Sequence, residues 1–136
     1  MAALMVVAAA MIGTASACGA GSPTASRYCD VVKQLQASAD PLSDQAIYSD
    51  PARLRDALAA RVATFTDLAA QAPAVIRTDA DTLRDGFIKI NNALSKAQFQ
   101  SAAANSDPVV QGVLADPGFQ SALTHVEDYN ANHCIE

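Results

Sequence analysis

The sequence has no tryptophan, and only three tyrosines and four phenylalanines. A platform that stacks sugars or bases needs more aromatic faces than this. Positive charge is scarce too: nine Lys and Arg stand against fourteen Asp and Glu, a net charge of −5. Such a chain suits neither a nucleic-acid backbone nor an anionic lipid face, so no nucleic-acid partner is expected. No G-x-S-x-G, glycine-rich phosphate loop, H-E-x-x-H or C-x-x-C occurs. Without these patterns there is no sequence argument for catalysis or a cofactor, and a non-enzyme is expected. No segment alternates at period two for long enough to read as a strand.

Histidine occurs twice, as His125 and His133. Beside Glu127 and Asp128 they invite a metal reading. Eight residues along a helix span about 12 Å at 1.5 Å per residue, too far for one ion without help from another element. No metal site is expected. Asp79, Asp81 and Asp85 crowd another stretch, but Arg77 and Arg84 flank them and early helix positions favour negative charge. They read as a solvated face.

Cationic residues are missing altogether before Arg27. What stands there is an unbroken apolar run, Ala2 to Ile12, followed by Gly13, Thr14 and Ala15-Ser16-Ala17-Cys18. A spanning helix wants about 20 apolar residues; this shorter run ending in small residues is a signal-peptide pattern. Ala15-x-Ala17 suits an ordinary signal peptidase cutting before Cys18. The same four residues resemble a bacterial lipobox, with Ala15 where Leu or Val is usual, and there Cys18 would take a diacylglyceryl group.

The cysteine count favours the second fate. Three cysteines, Cys18, Cys29 and Cys134, leave one odd thiol in an oxidising compartment. Lipid on Cys18 leaves an even pair. Residues 1–17 are therefore read as a lipoprotein-type signal peptide, 18–25 as a flexible tether and 26–136 as one helical domain. The expected location is the outer face of the cytoplasmic membrane, held there by the lipid, or the medium if Cys18 is not lipidated.

Four Asp-Pro pairs punctuate the domain: Asp40-Pro41, Asp50-Pro51, Asp107-Pro108 and Asp116-Pro117. Asp accepts the orphan N–H groups of a first turn, and Pro at the first helical position has no N–H to orphan. Helices are expected over about Ser26–Ala39, Asp50–Gln71 and Pro73–Ser95, then from Pro108 and from Pro117. Leu42–Ser49 reads as a connector whose Ile47 and Tyr48 fold back onto the core. Lys96–Ser106 reads as a frayed continuation or a loop. Ile76, Ala80, Leu83, Phe87, Ile90 and Leu94 recur in steps of three and four, the core spacing of a bundle helix. Gly86 interrupts that helix at a cost of about 1 kcal/mol relative to Ala, which a close helix crossing would explain. The short helix from Pro108 carries Val109, Val110, Val113 and Leu114; in the last helix Phe119, Leu123, Val126 and Tyr129 are expected inward.

The expected fold is all-α: an antiparallel bundle of four to five helices tied by one disulfide. Cys29 opens the first helix and Cys134 closes the last. In an up-down bundle those ends are neighbours, so Cys29–Cys134 is the expected pair.

At Tyr28-Cys29-Asp30-Val31-Val32, at Ala72-Pro73-Ala74-Val75-Ile76 with Asp79, and at Tyr129 with Cys134-Ile135, the chain resembles a group of small secreted proteins and lipoproteins of actinobacteria, mycobacteria and streptomycetes among them. The resemblance implies a helical, disulfide-tied envelope domain. It brings no assigned activity and no functional residue.

The functional expectation is a cell-envelope lipoprotein acting as a non-catalytic interaction module for an envelope protein. The alternative is a carrier that holds a small apolar ligand, a lipid or cofactor, between its helices. The abundance of Ala and β-branched residues favours close packing over a ligand void, and so the first reading.

Overall fold

The computed structural model describes residues 23–38, 42 and 44–134. The apolar leader and Cys18 lie outside them, as does the Asp40-Pro41 stop. Among the described residues the structure is helical, with no strand. The α-helices are α1 (Pro23–Ala37), α2 (Pro51–Gln71), α3 (Arg77–Lys96), α4 (Ser101–Ser106), α5 (Pro108–Leu114) and α6 (Pro117–His133). A 3-10 turn, Gln45–Ser49, precedes α2.

Three of the Asp-Pro pairs start helices as expected. Asp50 accepts from the N–H groups of Ala52 and Arg53 at 2.9 and 3.3 Å. Asp107 accepts from Val109 and Val110 at 2.8 and 3.2 Å, and Asp116 from Phe119 at 2.9 Å. Each Pro is the first residue of its helix. α1 starts at Pro23, inside the stretch read as tether; proline's fixed φ suits a first helical turn.

α3 begins at Arg77, not Pro73. Ala72, preceding a proline, is extended (φ −60°, ψ 131°). Pro73–Ile76 then make a turn closed by the Ile76 N–H on the Pro73 carbonyl at 3.1 Å. Arg77 fastens this corner, its Nε and Nη2 donating to the Ala72 carbonyl at 3.2 and 2.9 Å. Its guanidinium is therefore committed to the backbone and not to the aspartates.

α4 is the helix that the expected count of four to five omits. α3 stops because Gln98 and Phe99 both take left-handed backbone, with φ of 53° and 56°. The Phe99 N–H reaches back to the Leu94 carbonyl at 2.8 Å, and the Gln98 N–H to that of Ser95 at 3.0 Å. This is the Schellman way of closing a helix, built without its usual glycine. Left-handed backbone costs a non-glycine residue about 1–2 kcal/mol. Gln98→Gly should relieve that cost, less the entropy glycine adds to the unfolded chain. We expect a net gain of about 0.5–1 kcal/mol, read as a higher denaturation midpoint in urea at unchanged slope. Phe99→Gly should destabilise instead, because Phe99 packs against the core.

Two clusters of buried side chains fill the interior. The first joins Tyr28 and Val32 of α1, Phe65, Leu68 and Ala69 of α2, Ala80 and Leu83 of α3, and Phe119, Ala122 and Val126 of α6. The second joins Ile47, Leu54, Ala57 and Leu58 to Ile90, Ala93, Leu94 and Val110. The start of α2 thus faces the end of α3, and the reverse. Phe87 and Val113 touch both clusters. Phe87 stacks on Phe65 with ring centres 4.6 Å apart and meets the edge of Phe119 at 5.7 Å. Ile47 is buried as expected. Tyr48 is 39% exposed, its hydroxyl donating to the Leu42 carbonyl at 3.2 Å.

Cys29 and Cys134 are joined by a disulfide, with Cα atoms 4.9 Å apart. Beside it the Tyr28 hydroxyl donates to Asn130 Oδ1 at 2.9 Å. Burial pushes the Tyr28 phenol up to about 12, against the opposing pull of that hydrogen bond.

Candidate functional site

The four apolar side chains of α5 take different environments. Val110 is buried and Val113 partly so, but Val109 and Leu114 stand 48% and 44% exposed. Seven residues make two turns, too few for a complete apolar stripe, and a helix this short presents both flanks of its ridge to solvent.

A cleft lies along each flank. On one side, Val109 and Gly112 of α5 face Thr82, Gly86 and Lys89 of α3, with Phe119 closing the floor; the cleft holds about 280 Å³. On the other, Leu114 and Val110 face Ile90 and Leu94 of α3 and Leu58 of α2, around about 260 Å³, with Tyr48 at the edge. Among the described residues the second cleft has no charged lining residue.

The glycines of the first cleft differ in kind. A Cβ on Gly86 would sit 2.6 Å from the Cδ2 of Phe119. The ring needs that space, which is the close helix crossing the sequence called for. A Cβ on Gly112 would meet nothing within 4 Å among the described residues. Glycine inside a helix costs roughly 1 kcal/mol relative to Ala, and no described neighbour accounts for that cost at Gly112.

Charge is uneven around this ridge. From Gly86 to Ala115 the chain carries Lys89, Lys96 and a single acid, Asp107, reversing the acidic balance elsewhere. The Asp107 carboxylate is occupied by the two N–H groups at the start of α5. Neither lysine has an ion pair among the described residues. They are seven residues apart on α3, so they share one face.

The aspartates of α3 form no acid–base pair. Arg84 holds Asp81 at 2.6 Å and Asp85 at 2.9 Å, so the repulsion between them is bridged by one guanidinium. Asp79 instead reaches across to α6, its Oδ2 3.3 Å from Nδ1 of His125. His133 lies flat on Tyr129, ring centres 4.2 Å apart, with Nδ1 3.0 Å from the Tyr129 carbonyl. Both histidines border a shallow cleft between α3 and α6. The structure thus brings together His125 and Asp79, a contact between helices that spacing within one helix could not signal. Among the described residues no three His, Cys, Asp or Glu side chains converge as a metal site would require, and no helix is long and apolar enough to cross a membrane.

The described helices, with one disulfide and an apolar-flanked ridge, define a small all-α domain. No family model, curated protein or solved structure matches the chain.

Proposed function

We propose that this protein is a cell-envelope lipoprotein: an antiparallel helical bundle, carried through the membrane by the 1–17 leader and anchored by lipid on Cys18. It serves as a non-catalytic interaction module on the outer face of the cytoplasmic membrane. The disulfide supports the anchor, because pairing Cys29 with Cys134 leaves Cys18 as the odd cysteine. Two acyl chains on one residue are enough for stable anchoring. The observation that carries the interaction reading is the ridge of α5, with Val109 and Leu114 exposed on its two flanks.

Cleft size also bears on the choice. Pockets that hold a whole small ligand run to about 300–1,000 Å³. The apolar cleft beside Leu114 holds about 260 Å³, a size better suited to one or two side chains of a docked partner. Its uncharged lining is the one observation that favours the second reading, a bundle that carries a small apolar ligand. Two measurements on protein from its own host separate these readings. Intact mass of the membrane fraction should show cleavage before Cys18 and an added diacylglyceryl group; an unmodified mature mass in the medium would refute the anchor. Cross-linking of intact envelopes should then give one reproducible partner protein. A stoichiometric small molecule in native mass spectra, with no partner captured, would select the carrier reading.

A further inference from the structure

We infer that the α3–α5 face docks an acidic, amphipathic segment of a partner protein. Its apolar side chains pack beside Val109 and over Gly112, and its carboxylates meet Lys89 and Lys96. This rests on the interaction reading above and names the partner's chemistry.

Three observations converge on one patch. Gly112 borders the first cleft, and its missing side chain is unexplained by any neighbour among the described residues. A bare backbone at a cleft wall is what close approach by another chain requires. Val109, on the same cleft, leaves 48% of its surface in water. Lys89 lines it too, and Lys96 follows two turns along that face of α3. Two cations without ion pairs are complementary to carboxylates. The acid that lines the cleft, Asp116, has its Oδ1 engaged by the Phe119 N–H at 2.9 Å.

An anionic membrane is the competing occupant of an apolar, cationic face. Two lysines on a chain of net charge −5 are too few to hold it there, since juxtamembrane attraction to anionic lipid comes from clusters of four to eight. An acidic segment needs only local pairing, and apolar anchors set at helical spacing give it register.

The test is selection from a random 16-residue peptide library on the immobilised full-length protein in detergent, followed by titration of the enriched peptides. Enriched peptides should combine Asp or Glu with Leu, Val or Ile. Lys89→Glu and Val109→Asp should each weaken their binding at least tenfold. Gly112→Ala should weaken it similarly while raising the thermal midpoint, because its Cβ meets open space at home and the partner when docked. Circular dichroism of all three variants confirms that they are folded. Enrichment of basic or neutral peptides, no enrichment, or acidic peptides that bind the three variants as well as the parent would overturn the inference. So would sedimentation with phosphatidylglycerol vesicles that Lys89→Glu abolishes. If envelope cross-linking captures a partner whose cross-links avoid α3 and α5, this inference fails while the interaction reading stands. If no partner is captured, both fail.

Discussion

Replacing Cys29 and Cys134 with alanine will lower the thermal midpoint by about 15–20 °C. The bond joins residues 105 apart in sequence. In the chain-entropy model, closing a loop of about 100 residues removes roughly 4.7 kcal/mol of freedom from the unfolded state. For a domain of this size, each kcal/mol moves the midpoint by about 4 °C. The core makes the loss severe. Its three largest fully buried side chains are Tyr28, Leu54 and Leu83, and total stabilities of such domains are only about 5–15 kcal/mol. Scanning calorimetry of the double variant beside the reduced parent is the check. A fall of less than about 5 °C in both would show that the unfolded chain is already compact at these ends, or that the fold does not depend on the bond.

The second large effect concerns Gly86 and Phe119, which should behave as one unit. Phe119 is buried, fills the space a side chain at Gly86 would take, and meets Phe87 edge-on at 5.7 Å. Phe119→Ala should cost about 3–5 kcal/mol, the usual loss for a buried aromatic replaced by a cavity. Gly86→Ala gains about 1 kcal/mol of helix propensity but drives a methyl into the ring. Overpacking of a tight site costs about 1–3 kcal/mol, so that variant should be destabilised on balance. In Gly86→Ala/Phe119→Ala the new methyl fills part of the vacated space. The double variant should then be more stable than the sum of the two single changes implies, by at least about 1 kcal/mol. Additivity in urea unfolding would show that the ring moves aside at little cost.

What sequence could disclose followed from the range of each interaction. Asp50, Asp107 and Asp116 announce helix starts because a cap acts within three residues. The stripe from Ile76 to Leu94 announces a core face because a long helix repeats its pattern. The pairing of Cys29 with Cys134 was legible because topology left those two ends together. Three things were not. The corner before α3 depends on the Arg77 guanidinium reaching the Ala72 carbonyl, a side-chain choice that propensity does not encode. The end of α3 rests on left-handed backbone at Gln98 and Phe99, where no glycine advertised it. The exposure of Val109 and Leu114 arises because α5 is too short to turn all four apolar side chains inward. That exposure is also the signal of the candidate site. A short apolar helix between two Asp-Pro starts could have been flagged as unable to bury itself.

The position of the disulfide also has a mechanical meaning. A pull on the N-terminal side of the domain enters at Pro23, the first residue of α1. Without a cross-link, such a load would peel α1 away from α2 one turn after another, each turn yielding in sequence at low force. The Cys29–Cys134 bond lies six residues into that path (29 − 23 = 6). Among the described residues only Pro23–Tyr28 stand ahead of it. Beyond that point tension passes through the covalent bridge to the end of α6, and the contacts of Val32 and Leu35 are no longer the first to be loaded. Peeling is converted into shear across α6 and α3, where many contacts must break at once. If the domain is held by its N-terminal end, as proposed, the bond clamps it at its point of suspension.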